Sequence, residues 1–370
     1  MNLFYPVVNM KNIYVSSPML PPIEEFFDEI KDLWESKVLT NMGKKHNLFE
    51  KKLVEYLKTP FVSLFANGHL SLECALEVLK LKGEIITTPY TFISTSNSIV
   101  RSGSKPIFCD IDRNTFNIDT TKIEELITPN TCAIMPVHTY GNICNVDHIQ
   151  EIAEKNHIKV VYDAAHAFGE TYKGIPVGNF GDLSIFSFHA TKVFNTIEGG
   201  AISFSDEKLK KPFRDVKNFG ITGPETADYI GGNAKLNEFQ ASMGLCNLRY
   251  ISREIQKRKK LSDYYRSLLK DIEGIFLNPL EPEVESNYSY FPIVFKDYKK
   301  SRDQVFNDFE KNNIFTRKYF YPLTKNYRCY QEYRTHSTPV AEEISKNVIT
   351  LPLHSDLTYE DIDRICNILK

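Results

Sequence analysis

Between residues 84 and 163, short apolar runs rich in β-branched side chains alternate with stretches of helical spacing. The apolar runs lie at 84–89, 106–110, 132–137 and 158–163. The helical stretches between them lie at 91–101, 119–127 and 146–155. This alternation is typical of a largely parallel sheet with helices on both faces. Because ligands of such sheets bind at the carboxyl ends of the strands, the pattern also predicts where a site should lie.

The pattern changes after about residue 235. The later predicted elements are a long or broken helix, a strand and two further helices, at 236–272, 288–296, 301–312 and 358–369. A chain of 370 residues at about 150 residues per domain is expected to form two domains. We place the large domain at 1–250 and a smaller one at 251–370. The N-terminal segment, residues 1–60, has helical patterns that fit packing on either domain.

Charge, hydropathy and cysteine spacing exclude several classes of protein. Lys and Arg number 45 and Asp and Glu number 47, so the chain is no polycation and we expect no nucleic-acid partner. No stretch approaches 18 apolar residues, and residues 1–6 lack the features of a signal peptide, so we expect a cytoplasmic protein without a membrane segment. The seven cysteines are scattered without a CxxC pair, so we expect no metal site and no disulfide scaffold.

Gly68 follows Asn67 at the start of a predicted helix that runs to about residue 81. A glycine there lets the backbone approach an anion, and the unpaired N–H groups and the helix dipole favour phosphate. An ordinary N-cap at Asn67 explains the same residues equally well.

Two charged residues follow predicted strands. Asp163 comes directly after the apolar run 160–162, where a carboxylate is desolvated unless it has a cationic partner. A capping aspartate is the alternative. Lys192 ends the alternating run 181–192 and precedes the glycine pair 199–200. Most lysines are solvated, but a desolvated one has a lowered pKa and serves as an amine nucleophile.

One ligand fits these features together. Pyridoxal 5'-phosphate needs a phosphate cup, an acid facing its ring nitrogen and a lysine for its aldehyde. Gly68 and Ser187 would form the phosphate cup. Asp163 would face the ring nitrogen, and Lys192 would bind the aldehyde. A fourth feature, Ile230-Gly231-Gly232-Asn233, is by itself best explained as a loop with a helix cap.

The sequence around these residues resembles the DegT/DnrJ/EryC1/StrS sugar aminotransferases, of the fold-type I pyridoxal phosphate class. The matching blocks are Asn67-Gly68, Thr91-Phe92, 163–169, Gly181-Asp182, 187–192, 198–201 and 237–241. The resemblance implies an α/β fold. It consists of a mostly parallel central sheet flanked by helices, plus a smaller α+β C-terminal domain.

The resemblance implies a role for each matching position around the cofactor ring. Lys192 is expected to bind the cofactor aldehyde and to move a proton during transfer. Asp163 is expected to pair with the pyridine nitrogen, a charge-assisted bond of roughly 1.5–3 kcal/mol. His166 is expected near the ring oxygen, and Phe92 over one ring face.

The phosphate cup is expected from Gly68, position 69 and Ser187. Asn233 resembles an asparagine that reaches the phosphate from the partner chain, which implies a homodimer with shared active sites. The sequence also departs from the family. His69 stands where threonine or a small residue is usual, so a side-chain hydroxyl contact is lost. Lys235 replaces the arginine of an Asn-x-Arg pattern, and residues 319–324 lack the histidine of a Tyr-x-Pro-x-His-like motif.

The lysine favours transamination over the dehydration catalysed by members with histidine in its place. Glutamate is the expected amino donor and a nucleotide-linked keto-6-deoxyhexose the acceptor. Residues 18–26, 34–43 and 188–194 resemble the branch that aminates C4 of dTDP-4-keto-6-deoxyglucose, for lipopolysaccharide or O-antigen synthesis. The alternatives are C3 amination of a dTDP-3-keto-6-deoxyhexose and activity at both carbons. The candidate contacts to sugar or diphosphate are Asn41, Arg317, Tyr319 and Tyr321, which are equally well explained as surface or packing residues.

Two other classes remain for comparison. A regulatory protein that binds the cofactor or sugar on this fold would lack or block the lysine, and Lys192 argues against it. A nicotinamide-dependent sugar oxidoreductase needs a GxGxxG after an early strand, and the sequence has none.

Overall fold

The computed structural model describes residues 11–370. The sequence interpretation of residues 1–6, and the first ten residues of the predicted N-terminal segment, lie outside the described residues. The helices are α1 (Ile23–Ile30), α2 (Asp32–Ser36), α3 (Lys44–Leu57), α4 (Gly68–Val78), α5 (Ile93–Arg101), α6 (Val146–Asn156), α7 (Lys210–Val216), α8 (Glu238–Leu248), α9 (Ile251–Leu269), α10 (Arg302–Lys311), α11 (Pro339–Asn347) and α12 (Tyr359–Asn367).

The strands are β1 (Ile13–Tyr14), β2 (Phe61–Phe65), β3 (Glu84–Thr87), β4 (Lys105–Phe108), β5 (Thr131–Ile134), β6 (Lys159–Asp163), β7 (Thr171–Tyr172), β8 (Ile175–Pro176), β9 (Leu183–Ser187), β10 (Gly200–Phe204), β11 (Ile221–Gly223), β12 (Thr226–Ala227), β13 (Ile275–Phe276), β14 (Val284–Glu285), β15 (Phe291–Phe295), β16 (Ile314–Phe315) and β17 (Val348–Leu351).

Seven strands form the central sheet, in the order β2-β10-β9-β6-β5-β3-β4. The neighbours from β9 to β4 all pair in parallel, and β10 alone pairs antiparallel, with both β2 and β9. The α/β fold predicted from the alternating pattern is therefore confirmed. The loop that carries Lys192 connects β9 to β10. Because this loop reverses the chain direction, β10 runs antiparallel to β9.

Helices cover both faces of this sheet. Ile86 packs in one core with Phe49 and Leu53 of α3, while its neighbour Ile85 packs in another with Leu72 of α4. Successive residues of a strand point to opposite faces, so a run of consecutive apolar residues supplies both cores. This explains why β3 and β6 lie in continuous apolar runs at 84–89 and 158–163.

A second, three-stranded antiparallel sheet, β13-β15-β17, lies in the C-terminal part. Its core includes Ile293 with Leu261 and Tyr265 of α9, whereas Ile251 at the start of α9 belongs to the core of the central sheet. We propose the domain boundary near residue 250 on this ground. The N-terminal segment contributes to both cores, since α3 packs on the central sheet and Ile13 lies in the second core.

Residues 119–127 differ from the predicted helix. They form two 3-10 turns, Thr120–Lys122 and Glu124–Leu126. Asp119 accepts a hydrogen bond from the N–H of Thr121 and caps only the first turn. The β-branched residues of this stretch lower its helix propensity, and the proline at 129 ends it.

Within residues 11–370, no helix combines the length and apolar character needed to cross a bilayer. The same residues contain no group of three or more His, Cys, Asp or Glu side chains arranged to hold a metal ion.

Candidate active site

A cavity of about 410 Å³ lies at the carboxyl ends of β6 and β9, beside the start of α4. It is lined by Asn67, Gly68, His69, Leu72, Thr91, Phe92, Ser94, Val137, Asp163, Ala165, His166, Ile185, Ser187, His189, Thr191, Lys192, Glu198, Tyr290, Tyr319 and Phe320. This is the edge of the sheet at which the alternating sequence pattern predicts a site.

The start of α4 presents free backbone donors to the cavity. Asn67 Oδ1 accepts from the N–H of Leu70 at 2.8 Å and so caps the helix. Within the described residues, the N–H groups of Gly68 and His69 have no hydrogen-bond partner. A Cβ at position 68 would lie 2.9 Å from Ser187 Cβ, so glycine allows the helix to start against β9. Free N–H groups at a helix start bind anions.

Asp163 is buried at the end of β6 and has two donors. Thr95 Oγ1 donates to Oδ2 at 2.7 Å, and the N–H of Ala165 donates to Oδ1 at 3.1 Å. Burial raises the pKa of Asp163 above its ordinary value, while the Thr95 hydroxyl and the charge of Lys192 act in the opposite direction. The carboxylate is therefore held in one orientation and favours a cationic partner.

Lys192 lies in the loop after β9, where its N–H donates to the carbonyl of His189 at 2.9 Å. Its Nζ is 5.9 Å from the centre of the Tyr290 ring. Burial lowers the pKa of Lys192 to about 8, and the charge of Asp163 partly opposes this. A substantial fraction of the side chain is therefore neutral amine, and hence nucleophilic, near pH 8.

His166 is buried beside Lys192 in a neutral state. Burial, with the charge of Lys192, lowers the pKa of His166 well below its ordinary value. Its Nδ1 accepts from the N–H of Tyr140 at 3.1 Å. A neutral imidazole carries one hydrogen, so the hydrogen lies on Nε2. His166 is thereby prepared as a hydrogen-bond donor at Nε2.

His69 and Ser94 are hydrogen-bonded to each other in the lining of the cavity. His69 Nδ1 lies 2.8 Å from Ser94 Oγ, and its Nε2 lies 3.1 Å from Glu73 Oε1. The imidazole is thus held at both nitrogens, and its backbone N–H stays free as described above.

Aromatic rings form the remaining walls. Phe92 is the residue before α5 and is 58% exposed, although it lines the cavity. Phe320 stacks parallel to His166 with ring centres 6.1 Å apart, and Tyr290 packs at 4.8 Å against the same imidazole. Tyr319 packs against the rings of Tyr290 and Phe320. The C-terminal part of the chain therefore closes the cavity opposite α4.

The structure brings together most of the residues predicted from the sequence. Those lining the one cavity are Gly68, His69, Phe92, Asp163, His166, Ser187, Lys192 and Tyr319. Asn41, Asn233, Arg317 and Tyr321 do not line it. Asn41 and Arg317 are exposed, and Tyr321 packs under the Arg302 guanidinium at 4.5 Å. Asn233 is exposed and pairs by its backbone with Asn218.

Sequence reasoning missed Thr95, Ser94 and Tyr290. Thr95 lies three residues after Phe92 on a predicted helix, so helical spacing would have placed it on the same face. Tyr290 carries no such signal, because it comes from the strand region before β15, far along the chain from the central sheet.

Comparison with known proteins agrees with this geometry. Residues 22–370 match the model of the DegT/DnrJ/EryC1/StrS aminotransferase family. A dTDP-4-amino-4,6-dideoxy-D-glucose transaminase of Shigella dysenteriae is 43% identical, over 97% of this chain and 99% of the relative.

Two solved structures are also similar. DesI, crystallised in the presence of its TDP-sugar product, has a TM-score of 0.94 at 28% identity, covering 98% of this chain and 93% of that one. The putative sugar aminotransferase Spr1654 from Streptococcus pneumoniae, in its PMP form, has a TM-score of 0.91 at 28% identity, with 97% of each chain covered. The match to the family model spans nearly the whole chain, and the chain therefore belongs to the DegT/DnrJ/EryC1/StrS aminotransferase family.

Proposed function

We propose that this protein is a pyridoxal-phosphate-dependent transaminase that moves an amino group from glutamate to C4 of dTDP-4-keto-6-deoxyglucose. The observation that carries the proposal is that Lys192, Asp163 and the free N–H groups of α4 line a single cavity. The relatedness to a dTDP-4-amino-4,6-dideoxy-D-glucose transaminase over nearly the full length of both chains supports the C4 position and the nucleotide.

The residues of the cavity fit this cofactor. The unpartnered N–H groups of Gly68 and His69, with Ser187 beside them, would hold the phosphate. Asp163 would accept from the ring nitrogen, and His166 Nε2 would donate to the ring oxygen. When bound, pyridoxal 5'-phosphate supplies an aldehyde that captures amino groups and a ring that holds electrons released from the substrate carbon.

The chain's own residues then have separate tasks. Lys192, with a pKa of about 8, is able to accept a proton from the substrate carbon as an amine and return it as an ammonium. Asp163, which its two donors hold in place, would keep the proton on the ring nitrogen through its negative charge. Phe92 and Tyr290 line the cavity and would cover the reacting centre once the cofactor is bound.

We further propose a homodimer in which Asn233 reaches the phosphate site of the partner chain. Ile230, close to Asn233 in the same loop, is 89% exposed, and Phe219 in the segment that pairs with this loop is 50% exposed. Exposed apolar side chains grouped in this way are typical of a protein interface. We also propose that the product supplies an aminosugar for lipopolysaccharide or O-antigen, and that the protein is cytoplasmic. The proposed contacts to the sugar or diphosphate are Asn41, Arg317, Tyr319 and Tyr321.

Product analysis tests the reaction. The holoenzyme is incubated with glutamate and either dTDP-4-keto-6-deoxyglucose or a dTDP-3-keto-6-deoxyhexose, and NMR locates the new nitrogen. We expect nitrogen on C4 of the first sugar. Nitrogen on C3 of the second sugar alone would contradict the proposed regiochemistry, and no conversion of either would contradict the activity.

Borohydride reduction tests the cofactor site. Peptide mass spectrometry should then find a pyridoxyl group on Lys192. Lys217 is an internal control, because burial also lowers its pKa to about 8. Its Nζ donates to Ser63 Oγ and the Leu64 carbonyl, and it does not line the cavity. A label on Lys217 instead would show that amine reactivity, and not the cavity, selects the lysine.

A further inference from the structure

The imidazole of His69 is a fixed bridge between two elements. Its Nδ1 lies 2.8 Å from Ser94 Oγ on α5, and its Nε2 lies 3.1 Å from Glu73 Oε1 on α4. Glu73 Oε1 also accepts from Arg101 Nε at the end of α5. With both nitrogens engaged, His69 cannot turn toward a ligand in the cavity without losing one of these contacts. Of the two side chains in this contact, Ser94 is therefore the one that can face a ligand in the cavity.

Ser94 has hydrogen-bonding capacity left over. Its Oγ makes one hydrogen bond within residues 11–370, the one to His69 Nδ1. A hydroxyl has one hydrogen and two lone pairs, so this contact does not exhaust it. Ser94 lines the same cavity as Gly68 and Ser187, and His69, its partner, is the second residue of α4. The free capacity of Ser94 therefore faces the same cavity as the free N–H groups at the start of that helix.

The direction of the His69–Ser94 bond decides what Ser94 offers. The Glu73 carboxylate only accepts, so it favours a hydrogen on His69 Nε2. When Nδ1 is the donor in the His69–Ser94 contact, Ser94 Oγ accepts from it and its own hydrogen turns to the cavity. Ser94 can give that hydrogen to a phosphate oxygen only in this arrangement. The other titratable side chains lining the cavity are Asp163, His166, His189, Lys192, Glu198 and Tyr290, with Tyr319.

We propose that Ser94, oriented by His69 and Glu73, donates a hydrogen bond to the phosphate group of the cofactor. The inference rests on the proposed function and deepens it, since it adds a phosphate contact to the cup formed by Gly68, His69 and Ser187. Ser94 is the binding residue, and His69 and Glu73 are positioning residues.

Affinity for two forms of the cofactor tests the inference. Dissociation constants are measured by absorbance for pyridoxal 5'-phosphate and for pyridoxal, the same aldehyde without the phosphate. We expect Ser94→Ala to weaken binding of the phosphate form about tenfold, the loss of one hydrogen bond to a charged group. Binding of pyridoxal should be unchanged. Ser98→Ala is the matched control, because Ser98 lies on the same helix and donates to the Thr95 carbonyl outside the cavity.

Three outcomes are decisive. Unchanged affinity of Ser94→Ala for the phosphate form would overturn the inference and leave the proposed function intact. Equal weakening for both cofactor forms would also overturn it, because the loss would not then concern the phosphate. A wild-type protein that binds neither form would overturn the proposed function itself.

Variants of His69 test the positioning role. His69→Leu removes the contacts to Ser94 and Glu73, and it should weaken binding of pyridoxal 5'-phosphate as Ser94→Ala does. His69→Asn keeps a donor near the place of Nδ1 and should restore part of the affinity. The double variant Ser94→Ala with His69→Leu should be no weaker than Ser94→Ala alone, since both changes remove the same contact. Additive losses would show that His69 acts independently of Ser94.

Discussion

At the scale of the residue, the chemistry of Lys192 is set by two opposing influences. Burial lowers its pKa to about 8, and the charge of Asp163 raises it. Below the pKa the side chain is an ammonium without a free electron pair, and above it a neutral amine. The reactivity of the site toward an aldehyde therefore increases with pH through this range.

The rate at which the apoprotein incorporates pyridoxal 5'-phosphate should accordingly rise with pH, with a midpoint near the pKa of about 8. The increase in visible absorbance after mixing measures the rate. Asp163→Asn removes the charge that raises the pKa of Lys192 and should move the midpoint to lower pH. A rate that does not change across this range, or a midpoint that moves upward in Asp163→Asn, would contradict the assigned electrostatics.

The residues that could be predicted from the sequence are those with local signals. Asp163 and Lys192 each follow an apolar run, and Gly68 begins a helix after one. Tyr290 joins them only because the second sheet packs against the first, and no local pattern carries that information. The bridge from His69 to Ser94 was equally hidden, since it depends on the distance between α4 and α5.

At the scale of the element, the first turn of α4 combines a structural and a binding task. Asn67 caps the helix through Leu70, which leaves the N–H groups of the two residues between them free. The same asparagine lines the cavity. Substitutions at this position can therefore separate helix stability from anion binding.

Asn67→Ala should lower the free energy of unfolding by about 1 kcal/mol, the usual value of an N-cap. Asn67→Asp keeps an acceptor for Leu70 and should preserve stability, but it adds a negative charge next to the phosphate site. Urea unfolding measures the first effect, and the dissociation constant for pyridoxal 5'-phosphate measures the second. Wild-type cofactor affinity in Asn67→Asp would show that the phosphate does not bind at this helix.

Elements with strong periodicity were predicted well, and the exception has a physical reason. The predicted strands at 84–89 and 158–163 became β3 and β6, because buried parallel strands require continuous β-branched runs. The region 119–127 has helical spacing as well, but its β-branched residues and short length allow only 3-10 turns. Spacing alone does not distinguish these cases.

At the scale of the whole molecule, the proposed dimer makes each site dependent on two chains. Asn233 is exposed in one chain and does not line that chain's own cavity. If it completes the partner's site, two inactive variants can complement each other. Mixed dimers of Lys192→Ala and Asn233→Ala contain one site with both residues intact.

We expect the mixture, after dissociation and reassociation, to be more active than either variant alone. Light scattering should give about twice the chain mass of 42.7 kDa for the assembled protein. Activity that merely averages the two parents, or full activity of Asn233→Ala by itself, would contradict a shared site. Reassociated Lys192→Ala alone serves as the control for recovery.

The walls of the cavity are drawn from residues 67 to 320, and this span has a consequence for biosynthesis. A chain still on the ribosome has completed the central sheet long before Tyr290 and Phe320 emerge. A truncated or nascent chain that ends before these residues therefore lacks the part of the cavity lining that Tyr290 and Phe320 provide. We therefore expect stable capture of the cofactor to be a late event, complete only in a chain whose two halves have both folded.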